Sequence, residues 1–105
     1  MSDIVTVSIA CASADEADVL ARLLVEQKLA ACVQTRPIRS TYRWHGEIET
    51  AEEILLTAKT LASRLPALEQ AITVHHSYEV PEIMAVPVIW VGDAYRTWLY
   101  DSLTE

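Results

Sequence analysis

The chain has 105 residues, 51% of them hydrophobic and 22% charged, with a formal net charge of −7 and an isoelectric point near 4.8. That describes one domain over 1–105 with its own core, too apolar for a disordered segment and too acidic for the basic footprint that nucleic acid requires. Pro81 and Pro87 interrupt the best candidate for a membrane span, and the opening MSDIVTVSIA places Asp3 where a secretory signal is apolar, so the expectation is a cytoplasmic protein with Cys11 and Cys32 as reduced thiols.

In chain order, Ile4, Val5, Val7 and Ile9 form a short strand closed by Cys11, apolar enough for a central place in a sheet. Ser13 followed by Glu16 is a capping-box start. Ala17, Leu20, Leu23 and Leu24 then recur at helical spacing, and the helix should stop near Lys28. The middle of residues 30–59 reads as one long β-hairpin. Ser40, Tyr42 and Trp44 share a face of its first arm, and Gly46 supplies the reversal. Ile54, Leu55 and Leu56 make the end of the second arm apolar on both faces, so burial is expected on both. Ser63 signals a second helix, with Pro66 tolerated in its first turn and Leu65, Leu68 and Ile72 as its apolar stripe. A polar connection, HHSYEVPE from His75, leads to a last strand over 85–91, where Pro87 marks an edge or a strand beginning. Asp93 is expected to cap a C-terminal helix with Tyr95, Trp98 and Leu99 on one face.

The order is β-α-β-β-α-β plus an added helix. Two split β-α-β units make an α+β, ferredoxin-like sandwich, with both main helices on one face of an antiparallel sheet. Each arm of the central hairpin has about 12 residues, or roughly 40 Å at the usual rise. A domain this small does not need that reach. An overlong hairpin with aromatics near its tip wants a second chain to lie against.

The combination of Ala30-Ala31-Cys32-Val33, the Tyr42-x-Trp44-x-Gly46-x-Ile48 tip, Lys59-Thr60, His76-x-Tyr78-Glu79-Val80-Pro81-Glu82 and Tyr95-x-x-Trp98-Leu99 resembles the CutA family of divalent-cation tolerance proteins. The match runs through nearly the whole chain, in order and at the right spacing. It implies a ferredoxin-like protomer in a tight homotrimer whose long hairpins extend between subunits. It also implies binding of copper(II) or another divalent cation, not required for folding, and a role in metal tolerance. Ser77 departs from the proline usual in the family, and Gln34 stands where many members have Asn.

Cys11, His75 and His76 match the three positions through which the family is proposed to bind copper, and thiolate and imidazole suit copper and zinc. The topology brings Cys11 and the histidine pair to one end of the protomer and Cys32 to the other, so Cys32 is set aside. Against this stand plain alternatives: a cysteine at a strand end is most often a buried hydrophobe, and a loop His-His pair is usually solvated. The spacing by itself is no metal signature. A Cys–His nucleophilic dyad would lack an orienting group and an oxyanion hole, so no catalytic residues are assigned and no enzyme is expected. Tyr42 and Trp44 read either as a stacking platform or, more commonly, as interface packing. The stretch Tyr78–Glu82 reads as a rigid turn rather than an ionic rim, and Glu47, Glu49, Glu52 and Glu53 as a solvated side of the hairpin. The function expected is divalent-cation binding in metal tolerance. The alternative is a PII-like trimeric signalling scaffold with a small ligand between subunits, weakened by the lack of a Gly-rich phosphate loop.

Overall fold

The computed structural model describes residues 3–104; residues 1, 2 and 105, the extremes of the expected domain, lie outside the described residues. The elements are β1 (Ile4–Cys11), α1 (Ala14–Glu26), β2 (Cys32–Trp44), β3 (Glu47–Leu61), a 3₁₀ turn (Ala62–Arg64), α2 (Leu65–His75), β4 (Met84–Pro87) and α3 (Asp93–Thr104). The sheet order is β2-β3-β1-β4, and every neighbouring pair is antiparallel. This is the expected ferredoxin-like arrangement, with β1 central.

Alternation along β1 sorts the core into two parts. Val5, Val7, Ile9 and Cys11 point to the helices and pack with Ala17, Leu20 and Leu24 of α1 and Leu68 and Ile72 of α2. Ile4 points the other way and joins Leu61, Leu99 and Leu103, so α3 covers one end of the opposite face. Each such buried aliphatic side chain contributes about 1.5–3 kcal/mol. The Arg64 guanidinium donates to the Leu103 carbonyl at 2.6 Å, closing the end of α3.

Local signals explain the boundaries. Ser13 Oγ accepts the Glu16 N–H at 3.1 Å at the start of α1. At its end Lys28 turns to φ 57°, the Leu29 N–H reaches the Leu24 carbonyl and the Lys28 N–H the Val25 carbonyl. That is the Schellman arrangement, met here without glycine. Three expectations are corrected. Ser63 lies within the 3₁₀ turn, and α2 starts after Arg64 with no side-chain cap bond. The last strand is Met84–Pro87 rather than 85–91, because Pro87 already stands opposite Val5 and β1 has only Ile4 left to offer, taken by the Val88 N–H. Asp93 is the first helical residue rather than the cap, and the Gly92 carbonyl receives the Arg96 N–H.

β2 and β3 run 13 and 15 residues, close to the length expected, and stay paired from Cys32↔Lys59 to Trp44↔Glu47. β1 ends opposite Ile54. The rest of the hairpin projects beyond the sheet, drawing the molecule out to 45 × 25 × 22 Å. Its radius of gyration is 14.3 Å, against about 13 Å for a compact chain of this length. The reversal uses His45 at φ 52° and Gly46 at φ 81°, the two positive values of a type I′ turn, whose twist matches the strands.

A Cβ at Gly46 would meet nothing within 4 Å, so the cost of Gly46→Ala is conformational alone. The substitution is expected to lower stability by about 1 kcal/mol, read as a lower urea midpoint with an unchanged m-value.

Candidate metal centre

Cys11 closes β1 on the helix-facing side and is fully buried. Its thiol lies 3.9 Å from the Ile9 carbonyl. Burial, with the Glu16 and Glu53 carboxylates nearby, pushes the thiol up to about 12. A thiol held protonated at neutral pH is a weak nucleophile and releases its proton only to something that repays it, such as a cation.

Glu16 is the third residue of α1, and its two carboxylate oxygens do different work. Oε1 accepts the Ala12 N–H at 2.8 Å, fastening the helix start. Oε2 accepts the Ser77 N–H at 2.7 Å, fastening the loop after α2. Burial alone would raise this carboxyl, but the bonds from Ala12 and Ser77, with His76 beside it, bring it below its ordinary value.

His76 follows the last residue of α2 and is buried. Nε2 donates to the Ala10 carbonyl at 2.8 Å, and Nδ1 accepts the Tyr78 N–H at 3.0 Å. These partners define the Nε2–H tautomer. Glu16 Oε2 lies 3.8 Å from Nδ1.

One sulfur, one nitrogen and one oxygen, from Cys11, His76 and Glu16, therefore lie within 4.8 Å of one another. Cys11 and His76 come together at one end of the protomer. His75 does not join them: it is exposed, and its Nδ1 lies 2.9 Å from the Ala71 carbonyl one turn back on α2. Cys32 sits at the far end of the sheet, opposite Lys59, which in turn faces Thr6. The sequence marks Glu16 only as a capping residue. The signal for a second role was its place at the helix start, five residues after Cys11 and so at the same end of the sheet. Glu53, expected on the solvated side, is only 7% exposed. Its Oε2 accepts the Tyr78 hydroxyl at 2.7 Å, and burial, with this bond, raises the phenol above its ordinary value.

The donor set suits a borderline divalent cation such as copper(II) or zinc. The hydrogen bonds define what binding requires: loss of the thiol proton, and release of the Tyr78 N–H from the one lone pair on His76.

Comparison with known proteins agrees along the chain. Residues 5–102 match the family profile described as CutA1 divalent ion tolerance protein. The divalent-cation tolerance protein CutA of Thermus thermophilus is 37% identical, over 97% of this chain and 98% of its own length. The chloroplastic protein CutA of Arabidopsis thaliana is 42% identical over 79% of this chain, which spans only 46% of that longer protein. The crystal structure of CutA from Xylella fastidiosa superposes with a TM-score of 0.93 at 38% identity, covering 97% of this chain and 99% of the other.

Glu16→Gln is expected to lower stability at neutral pH by about 1.5–3 kcal/mol, the value of hydrogen bonds to a charged group. A lowered carboxyl stabilises above its ordinary value and loses that contribution as pH falls through its folded value, so the gap to the parent should close in acid. Urea unfolding at a series of pH values reads both. In a Cys32→Ser background, Cys11 should react with a disulfide reagent roughly a hundredfold more slowly folded than unfolded at pH 8, as burial and a suppressed thiolate require.

Proposed function

This chain belongs to the CutA1 divalent ion tolerance family, and from that premise we propose that it is a divalent-cation-binding protein, with copper(II) the best-suited ion, acting as a homotrimer in the cytoplasm. The observation that carries the reading is the convergence of Cys11, Glu16 and His76 donor atoms within 4.8 Å. Cys11 and His76 would hold the ion and Glu16 would supply charge and an oxygen donor. His75, adjacent but turned outward, would be the recruiting ligand at the mouth of the site. The ion contributes charge that favours the thiolate, and the chain contributes donors already gathered by folding.

The homotrimer is supported by what the protomer leaves uncovered. β2 and β4 are both edges of the sheet, and an open edge is a template for another chain. Beyond β4, Ile89 is 96% and Trp90 78% exposed, beside the exposed Met84 and Val86. Apolar surface of that kind marks an interface. The projecting hairpin would reach along a neighbour. Both cysteines are free and lie at opposite ends of the sheet, which suits a reducing compartment. The matching family and the Thermus thermophilus relative are described by cation tolerance rather than by a reaction, in keeping with a binding role.

Copper(II) titration of the reduced protein by calorimetry is expected to give one ion per chain at micromolar affinity or tighter. The heat should vary with buffer ionisation enthalpy because the thiol proton is released. Cys11→Ser and His76→Ala should each weaken binding roughly tenfold to a hundredfold, and His75→Ala less. Equal binding by all variants would refute the site. Light scattering at micromolar concentration is expected to give the mass of three chains, and a single-chain mass would refute the assembly.

A further inference from the structure

We propose that Tyr78 is a latch on the group formed by Cys11, Glu16 and His76: closed, it holds the His76 lone pair that a cation needs, and a cation binds by opening it. The latch presupposes the proposed cation binding and is what restrains it. The chain over 77–83 connects α2 to β4 without regular structure of its own. Among the described residues, three hydrogen bonds hold it: the Ser77 N–H to Glu16 Oε2, the Tyr78 N–H to His76 Nδ1, and the Tyr78 hydroxyl to Glu53 Oε2. Two of the three end on proposed cation donors, so the loop and the ion compete for the same atoms.

The two donors differ in what they can share. A carboxylate has about four lone-pair positions over its two oxygens, so Glu16 can keep the Ser77 N–H and still face a cation. A neutral imidazole has one. With Nε2 committed to the Ala10 carbonyl at 2.8 Å, Nδ1 is the only acceptor on the ring, and Tyr78 occupies it at 3.0 Å. Competition is therefore exclusive at Tyr78. Its bond to His76 spans only two residues and would be weak in an unanchored loop. Tyr78 is anchored, however. Its ring lies 4.9 Å from the His76 ring, and its hydroxyl reaches the buried Glu53 carboxylate at 2.7 Å. Hydrogen bonds to an ionised acceptor are the strong kind, so the Glu53 contact is what keeps the latch shut. Linkage is reciprocal: if the ion opens the latch, loosening the latch favours the ion. Removing the Tyr78 hydroxyl should then tighten cation binding, the reverse of what losing a supporting side chain does.

Zinc titration of the reduced full chain, read by calorimetry and by amide hydrogen exchange in NMR, tests this, since zinc has no redox chemistry to oxidise the thiol. With zinc bound, the Tyr78 amide should exchange roughly tenfold faster than in the zinc-free chain, as a local opening requires, while the Ser77 amide keeps its protection. Tyr78→Phe should bind zinc roughly threefold to tenfold more tightly, the effect of one hydrogen bond lost from the closed form alone. The exchange measurement uses the unaltered chain, so it decides the matter if Tyr78→Phe folds poorly. A Tyr78 amide equally protected with and without zinc overturns the latch even if Tyr78→Phe binds more tightly, because the uncompensated Glu53 charge would then be the cause. Equal or weaker zinc binding by Tyr78→Phe also overturns it. So does a changed mass of Tyr78→Phe by light scattering, which would make the contact part of the assembly. In these cases, zinc binding that Cys11→Ser weakens leaves the cation site standing. Absence of zinc binding, or binding indifferent to Cys11→Ser, overturns the site and the latch together.

Discussion

β1 stops opposite Ile54 while β3 runs on toward the turn, and this step in the sheet organises the molecule. Below the step, β3 has neighbours on both edges and helices over one face, so its helix-facing Leu56 and Ala58 are core. Above it, β3 has only β2. The end of β1 leaves the Ala10 carbonyl available to His76 and puts Cys11 at the last position covered by the helices. The loop after α2 then passes over the step, from His76 on one side to the contact of Tyr78 with Glu53 on the other.

Much of the local order at that step depends on Glu16. A single carboxylate fastens the start of α1 through Ala12 and the loop through Ser77, with His76 close by. Removing one oxygen would leave one of these backbone donors without its charged acceptor. Under the proposed function the acid would have a second role, since a carboxylate beside a thiol and an imidazole completes a mixed donor set. Under the proposed function, this well-satisfied internal network would admit a cation only by giving up a proton and a hydrogen bond.

Tyr78 links the two sides of the step. Its N–H is given to His76 and its hydroxyl to Glu53. Any cation that claimed the His76 Nδ1 lone pair would have to displace the Tyr78 N–H from it. The helix side and the open side of the sheet thus share one residue through two different bonds.

The fold was legible in the sequence because its signals are periodic and local. The alternation in β1, the Ser13 cap, the stripes of α1 and α2 and the glycine of the turn each report a residue's relation to near neighbours. Two of the group's three members were also legible, since the topology carries Cys11 and His76 to one end of the sheet. The errors came where a partner far along the chain decides: Pro87 ends β4 because β1 runs out beside it, and Glu53 is buried because Tyr78, 25 residues later, closes over it. The inward turn of His76 rather than His75, and the nearness of Glu16 to it, are likewise set by segments far apart in the chain. Sequence by itself determined the elements, their order and the end of the sheet at which Cys11 and the histidine pair lie, because periodicity and topology need only backbone geometry. Tertiary structure alone decided which of two adjacent histidines turns inward and which carboxylate meets it, because that depends on side-chain direction and on distances between segments that spacing does not encode.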